Sequence, residues 1–177
     1  MDPFLQLILT LPLAVLMITA SQHKLGNRVR FAAQLGAYAL LPAPLLAPVA
    51  RVLPWLELGA GLALLIPALR PVAGFLTAAL LMVYALAMFL NLLRGQRQID
   101  CGCGGPPQPL SGWLVSRNLV LAAVALLLLL PVAPRGLTPM DGFLLLLLTA
   151  LVSVAYLTLG QLLANFALLK GWNHHES

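Results

Sequence analysis

Cys101 and Cys103, the two cysteines of the chain, stand one residue apart in Asp100-Cys101-Gly102-Cys103-Gly104-Gly105. Two thiols this close can form a disulfide, hold a soft metal or exchange with the thiols of a partner. Alpha carbons two positions apart lie about 5.5–7 Å from each other, within bridging reach if the residue between them bends, and Gly102 permits that bend. A ring closed over so few atoms is strained, and strained, exposed disulfides are the labile, exchanging kind. As a staple it would contribute little, because a tiny loop hardly constrains the unfolded chain. Asp100 disfavours a thiolate beside it, whereas Arg94, Arg97 and the start of the helix that follows favour one. Copper(I) is the main competing use, since thiolates select soft metals. Only Met82 and Met88 lie within twenty positions and no histidine is near, so a metal centre would be under-ligated and none is assigned. Redox exchange leads, with an inert structural pair as the bland alternative. A single pair cannot relay electrons from one dithiol to another within the chain. It must exchange directly with a partner's cysteines, and be reset by a quinone, by a second thioredoxin-like protein or by the same partner.

Other polar groups interrupt apolar stretches. Glu57 falls in Trp55-Leu56-Glu57-Leu58-Gly59-Ala60-Gly61. An ionisable residue at membrane depth is costly and implies both a partner and a role. Lys24 or His23, at the end of the first apolar run, can supply the partner, and Gly59 and Gly61 let another helix approach. The alternative is a structural ion pair that orients helices. Arg117-Asn118 lies one to two turns into a later helix. Arg117 can snorkel to the surface or point inward toward a thiolate or a quinone oxygen. Helix counting puts Asn91, Arg94, Arg117, Asn118 and the cysteines toward one membrane face.

The elements that must position these residues are membrane helices. Hydrophobic residues make up 61% of the 177 and charged residues 8%, against roughly 25% in a soluble chain. The mean hydropathy is +0.97. Runs long enough for helical spans, about 20 residues each, recur at about 3–22, 51–69, 72–93, 112–132 and 141–169. The segment 31–50 carries Pro42, Pro44 and Pro48 and is expected to be an interfacial or re-entrant piece, because proline removes backbone donors and restricts its predecessor. The cysteine loop occupies 94–111, and Ser111 is the expected N-cap of the fourth span. The first apolar run lacks a basic leading region and is expected to be retained as a span. The whole chain, 1–177, thus forms one integral membrane domain. The net charge of +5 comes largely from loop arginines facing anionic headgroups; no aromatic-interleaved basic patch points to nucleic acid. The tail His174-His175 is expected to be a solvated end.

A resemblance ties these features together. In order along the chain stand Lys24-Leu25, Tyr38 through Leu41-Pro42, Pro54 with Glu57 and Gly61, Arg94-Gly95, Asp100-Cys101-Gly102-Cys103-Gly104, and Arg117-Asn118. This order resembles the MauE branch of the MauE/DoxX membrane proteins, associated with maturation of methylamine dehydrogenase. That family commonly has Phe where Gly104 stands, which leaves the thiols intact but removes an aromatic that would pack near them. Residues 133–177 carry no matching motif. The resemblance implies an all-α polytopic transmembrane bundle, four core helices of the DoxX, DsbB and vitamin K epoxide reductase kind, with a fifth C-terminal span. It implies support of disulfide formation in an exported client, and a periplasmic thioredoxin-like partner of the MauD type.

The expected function is therefore a membrane thiol-disulfide oxidoreductase, or its accessory, in a bacterial inner membrane. Cys101 and Cys103 are its exchanging pair, and Asp100, Arg94, Arg117, Asn118, Glu57 and Lys24 tune or position it. Quinone is the one cofactor considered. Two alternatives stand beside it. One is a non-catalytic scaffold or chaperone that recruits a thioredoxin-like partner; the other handles a metal or small molecule around Glu57 and Lys24. Lys24, Arg28, Arg30, Arg94, Arg97 and Lys170 against Arg70 and Arg135 put the cysteine loop in the cytoplasm by the positive-inside rule. The family role puts it outside, where disulfides persist, and the external face is the expectation adopted.

Overall fold

The computed structural model describes residues 1–96, 99, 109–133, 136 and 138–172, with the side chains at 157, 160 and 163–172 outside the description. Its described elements are helices: α1 (Pro3–Gly26), α2 (Arg28–Ala37), α3 (Ala43–Leu64), a 3-10 turn (Pro67–Leu69), α4 (Arg70–Leu93), α5 (Gly112–Leu127) and α6 (Pro139–Trp172). Four of them are long and apolar enough to cross a membrane: α1, α3, the Pro67–Leu93 stretch and α6 from Pro139 to Tyr156. The chain is a polytopic helical bundle. Its outward face is apolar, with Val72, Phe75, Leu93 and Leu146 exposed where lipid would lie.

Local chemistry sets the helix ends. Asp2 caps α1, its Oδ1 accepting from the Phe4 N–H at 2.8 Å, with Pro3 in the first turn. Asn27 both follows α1 and caps α2 through the Arg30 N–H. α4 ends in a Schellman motif: the Gln96 N–H donates to Asn91 O and the Gly95 N–H to Leu92 O, both at 3.0 Å. Gly95 has φ +75°, a conformation that penalises a β-carbon. At α6, Thr138 and Asp141 form a reciprocal cap, with Thr138 N–H donating to Asp141 Oδ2 at 2.8 Å and Asp141 N–H to Thr138 Oγ1 at 3.3 Å. That cap starts the helix at Pro139, two residues ahead of the expected 141. Ser111 occupies the N-cap position of α5, but its side chain makes no capping bond.

The proline-rich segment differs most from expectation. Its first part belongs to α2, a ten-residue helix too short to span, and its last part, from Ala43, is already α3. α3 therefore starts eight residues before the expected 51 and stops at Leu64, short of 69. Pro42 is the N-cap and Pro44 sits in the first turn, where no intrahelical donor is needed. Pro48 and Pro54 lie inside the helix, which membrane helices tolerate when neighbours re-satisfy the freed carbonyls. α5 is shorter than its expected range, passing into turns after Leu127.

α1 packs on α3 and α6, and α4 packs on α5 and α3. One core cluster joins Leu13 and Ala14 of α1, Leu64 of α3, Ala73, Ala78 and Leu81 of α4, and Ala122 and Ala125 of α5. Close approach of α1 and α3 occurs at Gly61, where a β-carbon would stand 2.9 Å from Ile18 Cγ1 and 3.1 Å from Met17 Cβ. Gly59 faces open space instead. The helices alternate in direction. The end of α1, all of α2, the start of α3, the end of α4 and the start of α5 therefore share one end of the bundle. The N-terminus and the end of α5 share the other, where the Ala133 N–H donates to Met1 O at 2.9 Å.

Candidate functional site

Cys101, Cys103 and Asp100 lie outside the described residues, as do Arg97 and the tail histidines. The stems of their loop are described. The Leu110 N–H donates to Ile99 O at 3.2 Å, which closes the chain between them into a loop. Leu110 is buried with Tyr38, Met88 and Leu114, and Ile99 packs against the same cluster. Tyr38 comes from the turn after α2, Met88 from α4 and Leu114 from α5, so three parts of the bundle hold the loop's base. Arg94, exposed, donates from Nη1 to Ala39 O at 3.4 Å and ties the end of α4 to the α2–α3 turn.

Deeper in the same half lies a buried polar cluster. Lys24, in the last turn of α1, pairs with Glu57 of α3; the two are 4% and 1% exposed. Lys24 Nζ and the Tyr84 hydroxyl both donate to Glu57 Oε1. Lys24 Nζ also donates to Tyr84 Oη at 3.1 Å and stands 4.4 Å from the Tyr84 ring centroid and 5.3 Å from that of Phe31. A cation over aromatic faces gains electrostatically, most where water is excluded. Burial of this kind persists only when each charge is paired. Glu57 Oε2 is buried without a hydrogen-bond partner. The partner of Glu57 is thus Lys24, while His23 is exposed. Tyr84, the third member, escaped the sequence analysis, because a tyrosine in an apolar run is common and signals nothing until its hydroxyl is placed.

The asparagines do not meet at one level. Asn91 is fully buried at the end of α4, its Nδ2 donating to Ala87 O at 3.0 Å, with Oδ1 left without a partner. Asn118 is buried two turns into α5 and donates to Leu114 O at 2.8 Å. Each amide donates to its own helix. Because α4 and α5 run antiparallel, with Gly74 against Ala125 O, Asn118 lies deeper than Asn91. Arg117 is half-buried, its guanidinium carbon 5.4 Å from the Tyr156 ring centroid of α6, and its Nε is buried without an acceptor. It turns toward α6.

A bundle of apolar helices with an ion pair sealed inside, and the stems of the cysteine loop fixed at one end, defines a multi-pass membrane protein. Residues 2–131 match the family profile of the methylamine utilisation protein MauE. The chain is 36% identical over 168 residues to the methylamine utilization protein MauE of Methylophilus methylotrophus, covering 93% of this chain and 86% of that one. It is 40% identical over 127 residues to the protein of the same description from Paracoccus denitrificans, covering 71% and 68%. The chain belongs to the MauE family, whose members take part in methylamine utilisation. No solved structure matches it.

Proposed function

We propose that the protein is a thiol-disulfide exchanger, or the membrane accessory of one, that supports disulfide formation in an exported client of the methylamine dehydrogenase kind. The carrying observation is the closed loop between Ile99 and Leu110, seated on a hydrophobic base and containing both cysteines of the chain. Fixed stems set the end of the bundle from which the thiol-bearing segment meets a partner. The partner is a periplasmic thioredoxin-like protein, and the loop faces outward from the bacterial inner membrane. The Lys24–Glu57–Tyr84 cluster holds α1, α3 and α4 in register beneath the loop and so positions it.

The test is to count the disulfides of the client in cells carrying Cys101→Ser, Cys103→Ser or both. Loss of client disulfides in either single variant, with the membrane protein still present at wild-type abundance, is the expected result. A double variant that matures the client fully overturns the proposal.

A further inference from the structure

A cavity of about 500 Å³, within the range of small-molecule sites (about 300–1,000 Å³), opens at the end of the bundle opposite the stems of the cysteine loop. It lies between the start of α1, the 3-10 turn that leads into α4, and the turns that follow α5. Leu7, Leu128, Leu129 and Leu130 supply apolar wall, and Gln6 and Arg70 are the polar side chains among the described residues that line it. Arg70 is held from two sides. Its Nε donates to Leu64 O at 3.3 Å, satisfying a carbonyl orphaned at the end of α3, and its Nη1 donates to Gln6 Oε1 at 3.2 Å. Both acceptors are neutral, and Nη2 has none among the described residues. Gln6 is 6% exposed; with Oε1 given to Arg70, its Nε2 can only donate, and it too has no acceptor among the described residues. No described carboxylate lines the cavity. Asp2, next to Pro3, is outside the lining, and its Oδ1 accepts from the Phe4 N–H. A cation and a buried amide donor therefore border one apolar cavity without an anion to receive them.

We propose that this cavity binds a phosphate monoanion, and that a membrane phospholipid of net negative charge carries it there. Arg70 opens α4 and so stands at the boundary of a span, the level of lipid phosphates. Arg70 Nη2 and Gln6 Nε2 donate to the phosphate oxygens, and the leucines take the glycerol backbone and the first acyl carbons. With no described carboxylate in the lining, the ammonium of a zwitterionic headgroup finds no partner, which favours a glycerol-type headgroup. A free phosphate ion would shed more hydration among these leucines for the same two donors. The site goes beyond thiol exchange and does not depend on it. A lipid seated here joins α1, the start of α4 and the end of α5 at the end of the bundle remote from the cysteine-loop stems, and stabilises the folded chain by mass action.

The experiment is native mass spectrometry of the purified full-length protein, released from neutral-detergent micelles and titrated with phosphatidylglycerol or with phosphatidylcholine of the same acyl chains. One saturable phosphatidylglycerol is expected, held about fivefold more tightly than phosphatidylcholine, as one basic residue at the membrane surface implies. Arg70→Gln should weaken it at least about tenfold, as loss of a hydrogen bond from a charged group does, and Arg70→Lys should recover part of that loss. Gln6→Leu, which removes the amide donor, should weaken it about threefold. Arg28→Gln, at an exposed arginine of the other end, should bind as wild type does. Equal retention of the two lipids, or equal losses from Arg70→Gln and Arg28→Gln, would mean a lipid annulus without a site and overturn the proposal. If Arg70→Gln fails to fold, undiminished binding by Gln6→Leu overturns it instead. Inorganic phosphate that displaces the lipid at millimolar concentration would reassign the cavity to a free anion and overturn the lipid source.

Discussion

Glu57 and Lys24 are the residues where the chain accepts the largest local cost. Each charge loses its hydration, and the loss is offset only by the partner, by Tyr84 and by the aromatic faces over Lys24. Glu57→Gln leaves the Lys24 ammonium buried without its counter-charge, and is expected to lower stability by about 3–5 kcal/mol. The readout is thermal unfolding in detergent. Lys24→Met combined with Glu57→Leu removes both charges and should be milder than either single change. A Glu57→Gln protein as stable as wild type would show that the pair does not hold the helices. Both charges were legible in the sequence, since an ionisable residue in an apolar run stands out. Their pairing was narrowed to Lys24 or His23, and only the side-chain positions chose between them.

At the scale of elements, helix ends and helix contacts depend on different information. Asp2-Pro3, Arg94-Gly95 and Thr138-Pro139-Met140-Asp141 are local signals, and each ends or starts a helix by bonds within a few residues. The prolines at 42, 44 and 48 read locally as a break. Yet α3 begins among them, because Pro44 falls where no donor is needed and Pro48 is carried by the surrounding bundle. Gly59 and Gly61 look alike in sequence and differ in place. Gly61→Leu should push α1 from α3 and lower stability by about 1–3 kcal/mol, as overpacking does. Gly59→Leu should leave thermal unfolding in detergent nearly unchanged. Equal behaviour of the two would remove the close α1–α3 approach from the account.

For the whole molecule, alternation of the helices puts the stems of the cysteine loop, α2 and the Lys24–Glu57–Tyr84 cluster in one half. Exposed Arg28, Arg30 and Arg94 at that end pull toward the cytoplasm by charge. Lys24 drops out of that tally because it is buried and neutralised by Glu57. With the loop outward, as the proposed role requires, a membrane-impermeant maleimide applied to intact cells should label Cys101 and Cys103 only after a reductant. Labelling that needs permeabilisation and no reductant would place free thiols inside and defeat that orientation.

Composition alone determined that this chain is a multi-pass helical membrane protein, because apolar runs of span length have few other stable solutions. The order of its short motifs already pointed to its family. Tertiary structure decided which polar residues meet. Glu57 found Lys24 and Tyr84, Arg117 turned toward α6, and Asn91 and Asn118 settled at separate depths. The physical reason is that membrane burial is specified by average hydrophobicity along the chain, whereas a contact between helices depends on rotation and depth. Those are set jointly by packing at places such as Gly61 and have no periodic trace in a uniformly apolar sequence.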